Sequence, residues 1–500
     1  MHQASFSISG LTHKVRSAYV TTPTWRAYPV RIQLEPERLT IDGIQGNAFI
    51  LFVTLEVEGF GRTCLPVDGE GTGLPLGDFN LAVELLRSRA ARCQRLAATV
   101  NAPEWQVIST EVSAAVAAQS ASDCSRLLGA TIVAAEELLY QQKRMVDRRG
   151  PHAPVISATL FGERKGEYAI GVGPDWPVDA PPDFTRGSRS QDLALDLING
   201  TTIPNFWRYI EFEQGKQRWE RIDQLLERAK AKQLRVKSFA LYWGGIGGCP
   251  PWLRDLSYSQ QLAAIERWVE TIVTRYKGEV YCWETVNEMH NWGFGNPFHW
   301  SHAQLLEVTR LVNEQVGALD PGAPRLINHC CIWGDYVQSK AGSTWSQAAW
   351  DADWTPLAYL DEVCRNNIPF EVIGLQYYNP GRDILTCYET LEKFAAFGKE
   401  IQITEIGTPS APARATSVET GQTDPMSGWR GPWTPERQAL WLDRFYGTLG
   451  AQPQVTAFNY WDFDDAQAFI GHAGLVDAEY QPKPGYRRLQ ALAQQWHPTP

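Results

Sequence analysis

The stretch Trp283–Trp292, WETVNEMHNW, begins as an apolar β-strand and ends in an amide, a carboxylate and aromatic rings. A charge at the edge of a buried strand costs free energy unless it is paired or used. A second stretch, EIQITEIG at residues 400–407, also carries an acid, Glu405, near the end of an apolar strand pattern. Because side chains alternate along a strand, Ile401, Ile403 and Glu405 are predicted to point to one side. Both strands therefore need a fold that gives their terminal acids a partner or a function.

Short apolar runs alternate with amphipathic helical segments from about residue 151 onward. The eight candidate strands are PVISATLFG (154–162), LINGTTIPN (197–205), LRVKSFALYW (234–243), VYCWETVNE (280–288), RLINHCCIW (325–333), FEVIGLQYY (370–378), EIQITEIG (400–407) and VTAFNYWDF (455–463), with YAIGVG (168–173) as the alternative for the first. Eight strand–helix units over residues 151–497 predict an α/β fold of the (β/α)8 TIM barrel type. The C-terminal strand ends form the active-site rim of such a barrel, so Glu288 and Glu405 are predicted to lie on the rim.

The first 150 residues follow a different pattern. VRIQLEPERLTIDG and NAFILFVTLEVEG alternate apolar and polar residues between turn residues, which predicts a smaller β-rich N-terminal domain over residues 1–110. GATIVAAEELLYQQKRMVDRR, starting at Gly129, has the spacing of an amphipathic helix and predicts a helical connector over residues 111–150. No catalytic pattern is found in this region.

Composition limits the classes of partner. The formal net charge is -10 and no long basic run is present, which argues against nucleic acid. No apolar segment reaches the length of about 20 residues that spans a bilayer, so no membrane partner is expected. The N-terminus lacks the apolar run of a signal peptide, and the nine cysteines include no CxxC pair, so reduced, mostly buried thiols and a cytoplasmic location are expected unless a leader was trimmed. The oligomeric state stays open.

Tryptophan is concentrated in the predicted barrel, where 18 of the 20 residues lie. Indole faces stack on sugar rings but also fill cores. Five tryptophans in long predicted loops are candidates for sugar stacking, with loop packing as the alternative: Trp252, Trp292, Trp300, Trp429 and Trp433. The nine histidines form no HExxH motif, so no catalytic metal and no cofactor are predicted.

Two carboxylates that face each other across a sugar cleft are what glycoside hydrolysis requires. One protonates the leaving oxygen, and the other attacks the anomeric carbon or activates water. Neighbouring like charges also raise the pKa of one carboxyl group, so the two can differ in protonation at neutral pH. Glu288 and Glu405 are the candidates for this pair, and the partner is then a polysaccharide or oligosaccharide.

Over about residues 195–492 the sequence resembles glycoside hydrolase family 10, the endo-β-1,4-xylanase family. The motifs are WETVNE at the fourth strand, QITEIG at the seventh, and the closing segment FNYWDFDDAQAFIGHAGLVDAEYQPKPGYRRLQAL. The resemblance implies that Glu288 is the acid/base and Glu405 the nucleophile of a retaining xylanase. It also implies a set of sugar-binding residues: Asn287 on the 2-hydroxyl, Trp461 stacked on the ring, Asn205 and Arg208 in the next subsite, Trp243 on the third strand, and Gln376 near the nucleophile.

The chain departs from the family pattern on several strands. Phe239 and Gly244 stand where histidines flank Trp243 in the family, and Pro204 stands where an acid is common. Gln376-Tyr377-Tyr378 replaces Gln-x-His, and Gly407 replaces the aspartate that partners this histidine.

These departures leave three hypotheses open. We expect Tyr378 to take over the hydrogen bond to Glu405, so that the chemistry is kept while the sugar pocket is altered. The first hypothesis is hydrolysis of β-1,4-xylan or xylo-oligosaccharides. The alternatives are a retaining β-glycosidase for another glycan or glycoside, and a carbohydrate-binding protein without catalysis.

Overall fold

The computed structural model describes residues 3–150, 153–160, 189–245, 248–290, 295–338, 354–378, 381–412, 428–465, 468 and 470–497. Two small sheets occupy its first part. Their strands are β1 (Gln3–Ser7), β2 (Lys14–Thr21), β3 (Arg31–Leu34), β4 (Arg38–Asp42), β5 (Ala48–Val57), β6 (Gly61–Val67), β7 (Leu74–Pro75) and β8 (Asp78–Asn80). One sheet has the order β3-β4-β1-β8, and the other has the order β2-β5-β6 with β7 beside β5.

Three helices follow these sheets: α1 (Leu81–Ala97), α2 (Pro103–Ala117) and α3 (Ala121–Lys143). The change from strands to helices falls at Asn80. Its side-chain oxygen accepts the N–H of Val83 and so caps the first turn of α1. The division of this region into domains at residues 110 and 150 stays a prediction.

Parallel strands form a closed barrel in the second part of the chain. They are β9 (Val155–Thr159), β10 (Gly200–Pro204), β11 (Arg235–Phe239), β12 (Tyr242–Trp243), β13 (Cys282–Asn287), β14 (Arg325–His329), β15 (Val372–Tyr378), β16 (Glu400–Gly407) and β17 (Val455–Tyr460). Neighbouring strands pair in chain order, and β17 pairs with β9, which closes the barrel. The two-residue β12 continues the third strand and pairs with β13. The predicted TIM barrel is therefore confirmed, with 155–159 as its first strand; the alternative, 168–173, lies outside the described residues.

Helices follow the barrel strands: α4 (Arg189–Leu197), α5 (Trp207–Ile210), α6 (Glu220–Ala231), α7 (Tyr258–Tyr276), α8 (His302–Leu319), α9 (Pro356–Arg365), α10 (Ile384–Ala395), α11 (Pro435–Leu449) and α12 (Pro484–Trp496). Local sequence explains where several begin. Ser301 and Gln304 form a reciprocal capping box at α8, and Thr434 caps α11 ahead of Pro435. None of the described helices is both long and apolar enough to cross a membrane. All nine cysteines are free thiols and eight are buried, as the sequence predicted.

The interior of the barrel contains a buried ion pair below the rim. Lys237 Nζ lies 2.5 Å from Glu284 Oε2, and the two side chains are only 3% and 0% exposed. Asn328 donates its amide to the other oxygen of Glu284 at 3.0 Å. Burial raises the pKa of Glu284, whereas Lys237 and Asn328 lower it. This polar layer supports the residues that lie above it on the rim.

An irregularity in β16 decides which way its side chains point. The pairing of β16 with β15 skips Thr404, which therefore forms a bulge. Thr404 Oγ1 donates to Asn328 Oδ1 inside the barrel at 2.6 Å, and Glu405 also bonds Asn328. The side chains of Thr404 and Glu405, although adjacent along the strand, therefore both point into the barrel. The prediction that Ile401 and Ile403 share the side of Glu405 is wrong, because the bulge turns Glu405 to the opposite side from them.

Candidate active site

Glu288 lies immediately beyond β13 in an uncommon backbone conformation. Its φ is 60°, in the left-handed region that non-glycine residues rarely adopt. Its side chain is buried, with Oε1 accepting from Gln376 Nε2 at 2.9 Å and Oε2 accepting from Trp243 Nε1 at 3.1 Å. Strained backbone of this kind concentrates at functional sites. The strain and the two donors together fix the direction of the carboxylate.

Glu405 lies near the end of β16 and is equally enclosed. Its side chain is 5% exposed. Oε1 accepts from Asn328 Nδ2 at 3.0 Å, and Oε2 accepts from the Tyr378 hydroxyl at 2.6 Å. The hydrogen bond expected from Tyr378 is thus present. Two donors hold this carboxylate in one orientation.

The two carboxylates lie in one hydrogen-bonded network. The main-chain N–H of Glu288 donates to the carbonyl of Asn328, whose side chain holds Glu405. Gln376 donates to Glu288 and, at 3.3 Å, to Asn287 Oδ1. The charge of Glu288 also raises the pKa of Glu405. The structure brings together the acids and amides that the sequence singled out on the fourth, sixth and seventh strands.

The pKa of Glu405 is well above its ordinary value. Burial is the largest cause, and the charges of Glu284 and Glu288 add to it. The hydrogen bond from Tyr378 and the charge of Lys237 act in the opposite direction. A buried pair of carboxylates therefore keeps a proton to higher pH than an isolated glutamate does. Such a pair can supply one acid and one base at the same pH.

An aromatic wall lies beside the carboxylates. It contains Phe206, Phe239, Trp243 and Trp461, all buried, with Tyr378 packed against it. The rings of Phe239 and Trp461 meet at 4.8 Å with an angle of 60° between their planes. Phe239 stands where the resemblance implies a histidine, so this part of the wall offers an apolar contact in place of a hydrogen bond.

Asn205 and Arg208 lie just beyond β10, on the side of the mouth that carries the wall. Asn205 is buried, and its Oδ1 accepts from Ser238 Oγ at 2.7 Å. Arg208 is 7% exposed, and its main-chain N–H donates to Gly248 at 3.2 Å. Both residues are therefore buried at the mouth of the barrel.

The predicted loop tryptophans mostly serve packing. Trp300, Trp429 and Trp433 are buried, and Trp300 Nε1 donates to Gln261. Trp252 is half-buried and donates to the carbonyl of Glu211 at 3.1 Å. Trp292 lies outside the described residues. Among the residues with described positions, no group of three or more His, Cys, Asp or Glu side chains could hold a metal ion.

Sequence reasoning missed Asp462, which lies beside Gly407. A Cβ built on Gly407 would lie 2.7 Å from Asp462 Oδ2 and 3.2 Å from Tyr378 Cδ1. Asp462 is buried, accepts the N–H of Ile470 at 3.0 Å and raises the pKa of Tyr378. Asp462, two residues beyond the end of β17, thus lies where a side chain on residue 407 would project. The residue pair Trp461-Asp462 was visible in the sequence, but its contact with Gly407 was not.

Sequence reasoning also missed Asn328 and the Lys237–Glu284 pair. Asn328 interrupts an apolar strand, and Lys237 and Glu284 are opposite charges inside two adjacent buried strands. Charged residues are rarely buried unless they are paired. That signal was present in the sequence and would have indicated the ion pair.

Gly407→Ala is expected to lower kcat by about 10- to 100-fold, because the new methyl group displaces Asp462 or Tyr378 and shifts Glu405. Steady-state kinetics on an aryl β-xyloside measure the loss. Gly322→Ala is the control, since a Cβ there meets nothing within 4 Å. Equal activity of the two variants would contradict tight packing around Gly407.

Tyr378→Phe is expected to lower kcat by about 10-fold and to move the acidic limb of the kcat/KM profile to higher pH. The lost hydrogen bond stabilises the ionised form of Glu405, so its removal raises the pKa of Glu405 further. A nucleophile that must be ionised then loses activity at a higher pH as the solution is acidified.

The control for this variant is Tyr377→Phe. It removes a buried hydroxyl that bonds the carbonyl of Cys387 on the outer side of the same strand. We expect an unchanged pH profile for it. A profile of Tyr378→Phe that overlays the wild-type one would contradict the role of Tyr378.

Comparisons with known proteins agree on one family. The family model described as "Glycosyl hydrolase family 10" matches residues 183–304 and 347–492, just over half of the chain. "Endo-1,4-beta-xylanase B" of Thermotoga neapolitana is 23% identical over 303 residues, which cover 58% of this chain and 78% of that protein. "Endo-1,4-beta-xylanase C" of Paenibacillus barcinonensis is 24% identical over 264 residues, covering 48% of this chain and 22% of that protein.

Solved structures of xylanases are also similar to this chain. Native xylanase 10B from Thermotoga maritima has 19% sequence identity and a TM-score of 0.49, covering 69% of this chain and 96% of that one. Among the curated relatives, this chain spans about a fifth of the Paenibacillus protein and more than three quarters of the Thermotoga neapolitana protein.

Proposed function

Since this chain belongs to glycosyl hydrolase family 10 and is a glycoside hydrolase, we propose that it cleaves β-1,4-xylan or xylo-oligosaccharides with retention of the anomeric configuration. The observation that carries the proposal is the buried carboxylate pair, Glu288 and Glu405, held by four donors at the C-terminal mouth of the barrel. Two such carboxylates are the chemical requirement for hydrolysis of a glycosidic bond. The names of the curated relatives support xylan as the substrate.

The proposed reaction is a double displacement. Glu405 attacks the anomeric carbon while Glu288 gives its proton to the leaving oxygen, so that a glycosyl ester forms and the glycosidic bond breaks. Glu288 then takes a proton from water, which attacks the anomeric carbon and releases Glu405. Asn328 and Tyr378 hold Glu405 on the line of attack, and Gln376 and Trp243 hold Glu288.

The remaining site residues are proposed to bind the sugar. Asn287 would hydrogen-bond the 2-hydroxyl next to the reacting carbon, a contact that strengthens in the transition state. Trp461 would stack on the ring, since indole faces suit the C–H faces of sugars. Asn205 and Arg208 would bind the preceding sugar.

A second candidate is a retaining β-glycosidase for another glycan or glycoside. Phe239 favours it, because its ring contacts Trp461 where an imidazole would offer a hydrogen bond. A sugar that presents an apolar group, or no substituent, to Phe239 would lose no hydrogen bond on binding. A sugar hydroxyl placed against the same ring would give up its hydrogen bond with water and gain none from the protein.

A panel of aryl β-glycosides tests both candidates. We expect aryl β-xyloside to be hydrolysed fastest, with β-xylose as the first product seen by NMR before mutarotation. Faster hydrolysis of another aryl β-glycoside would favour the second candidate. First-formed α-xylose would contradict retention, and sugar binding without turnover would indicate a carbohydrate-binding protein.

A further inference from the structure

Two adjacent thiols lie at the mouth of the barrel. Cys330 and Cys331 come directly after His329, the last residue of β14, and both are free thiols. The two residues are 7% and 8% exposed, whereas Cys282 on the neighbouring strand and Cys387 have no exposed surface. The pair therefore keeps a small contact with solvent that the thiols inside the barrel lack.

The two thiols interact with each other and with the carboxylates. Burial raises the pKa of Cys330 well above its ordinary value. A hydrogen bond with the Cys331 thiol and the charges of Glu288 and Glu405 raise it further. Because the thiolate is the reactive form of cysteine, Cys330 stays protonated and unreactive until a reaction begins at its neighbour.

A pair of buried imidazoles lies beside Cys330. Its Sγ is 3.8 Å from Nε2 of His290, and His329 lies next to it in the chain. Among the described residues, Nδ1 of His290 and both ring nitrogens of His329 have no hydrogen-bond partner. Buried polar atoms without a partner are rare in folded proteins and point to a role that the resting fold does not satisfy.

The backbone at the second thiol is strained. Cys331 has a φ of 48°, in the left-handed region that residues other than glycine rarely adopt. Adjacent Cα atoms are about 3.8 Å apart, less than the roughly 4.4–6.8 Å across an ordinary disulfide. A disulfide between neighbouring cysteines is therefore strained and easily reduced, as reversible regulatory disulfides are.

The thiol pair is joined to both carboxylates by short stretches of chain. Asn328, two residues before Cys330, donates its amide to Glu405 and accepts the main-chain N–H of Glu288 at its carbonyl. His290, which contacts Cys330, stands two residues after Glu288. A change of backbone angles at the thiols thus acts on the groups that hold the two carboxylates in place.

We propose that Cys330 and Cys331 form a modification site, at which a small disulfide oxidises the pair to a vicinal disulfide and lowers the activity. One thiol loses its proton and attacks the small disulfide, which gives a mixed disulfide and releases one thiolate. The second thiol loses its proton, attacks the protein sulfur of the mixed disulfide and releases the other thiolate. Two electrons and two protons leave the cysteines, and the small disulfide becomes two thiols. His290 Nε2 lies within reach of the Cys330 proton.

Peptide mapping of the full chain after treatment with dipyridyl disulfide tests this proposal. The peptide that contains Cys330 and Cys331 is expected to lose two hydrogen atoms and to carry no thiopyridyl group. The effect on activity rests on the proposed function, and kcat on an aryl β-xyloside is expected to fall at least about fivefold, because small displacements of catalytic groups are costly. Dithiothreitol is expected to reverse both changes.

Three results of this experiment would contradict one claim each. A thiopyridyl group left on either cysteine, or a peptide of unchanged mass, would overturn the proposal. A vicinal disulfide with unchanged kcat would overturn its effect on the carboxylates. Absence of hydrolysis before any treatment would remove the proposed function, while the peptide mass would still decide whether the disulfide forms.

Two serine variants give a matched comparison. Cys331→Ser leaves Cys330 without a neighbouring thiol, so it is expected to keep kcat within about twofold of the wild type and to resist the treatment. Cys364→Ser removes the exposed thiol of α9 and is expected to be inactivated as the wild type is. Equal loss of activity in the two treated variants would contradict the assignment of the site to the adjacent pair. The mapping of the wild type decides the disulfide without either variant.

Discussion

Glu405→Gln is expected to lower kcat about 10³-fold or more, because the amide keeps the shape of the side chain but cannot form the glycosyl ester. The amide keeps one acceptor oxygen and has an NH2 donor in place of the other, so the hydrogen bond from Asn328 or the one from Tyr378 is lost. Glu288 is engaged by Gln376 and Trp243, so it is not positioned to replace Glu405 as the nucleophile. Steady-state hydrolysis of an aryl β-xyloside measures the loss.

The control for this variant lies on the same strand. Glu400 begins β16 at the opposite end of the barrel and is exposed. Glu400→Gln makes the same chemical change and is expected to leave kcat within about twofold of the wild type. A Glu405→Gln variant that retains a tenth of the activity would remove Glu405 as the nucleophile.

Lys237→Met is expected to destabilise the folded protein by about 3–5 kcal/mol, because it leaves the carboxylate of Glu284 buried without its counter-charge. The free energy of unfolding in denaturant measures this effect. The variant is also expected to lose activity at acidic pH, since the charge of Lys237 lowers the pKa of Glu405. Removing that charge raises the pKa, so Glu405 is protonated at a higher pH.

Two comparisons isolate the buried charge. Adding Glu284→Met to Lys237→Met is expected to recover most of the lost stability, because no unpaired charge then remains. Lys230→Met breaks the exposed pair with Glu279 and is expected to cost less than about 1 kcal/mol. A loss for Lys237→Met as small as that for Lys230→Met would contradict the structural importance of the buried pair.

The barrel was predictable because each strand has a local signature. EIQITEIG at 400–407 has strand bounds that match β16, and its apolar residues stand between an exposed Glu400 and a turn. The position of Glu288 and Glu405 on the rim followed from topology, since parallel strands in a barrel end on one face. Both predictions needed only the order and spacing of segments along the chain.

The network around the carboxylates was not predictable, because it depends on register between strands that are far apart in sequence. Asn328 joins Glu284 and Glu405 only because β14 lies between β13 and β15 and the bulge at Thr404 turns Glu405 inward. The contact of Asp462 with Gly407 likewise joins the ends of two strands. A one-residue shift in either register would remove these contacts, and no local pattern specifies it.

The burial of charges between the N-terminal helices and the barrel was also absent from the sequence pattern. Arg89 and Glu136 stand in amphipathic helices whose charges suit a solvent-exposed face equally well. Their burial follows from the docking of α1 and α3 beside α10 and the loop after β16. Long-range docking of this kind is decided by the shapes of two folded surfaces.

The most direct test of the catalytic assignment is to trap the glycosyl-enzyme. A 2-deoxy-2-fluoro β-xyloside with a good leaving group slows the second displacement more than the first, so the ester accumulates. We predict by mass spectrometry one added 2-fluoroxylosyl unit on the peptide that contains Glu405, and none in Glu405→Gln. A label on any other residue, or turnover without an ester and with inverted product, would contradict the assignment of Glu405 and Glu288 as nucleophile and acid/base.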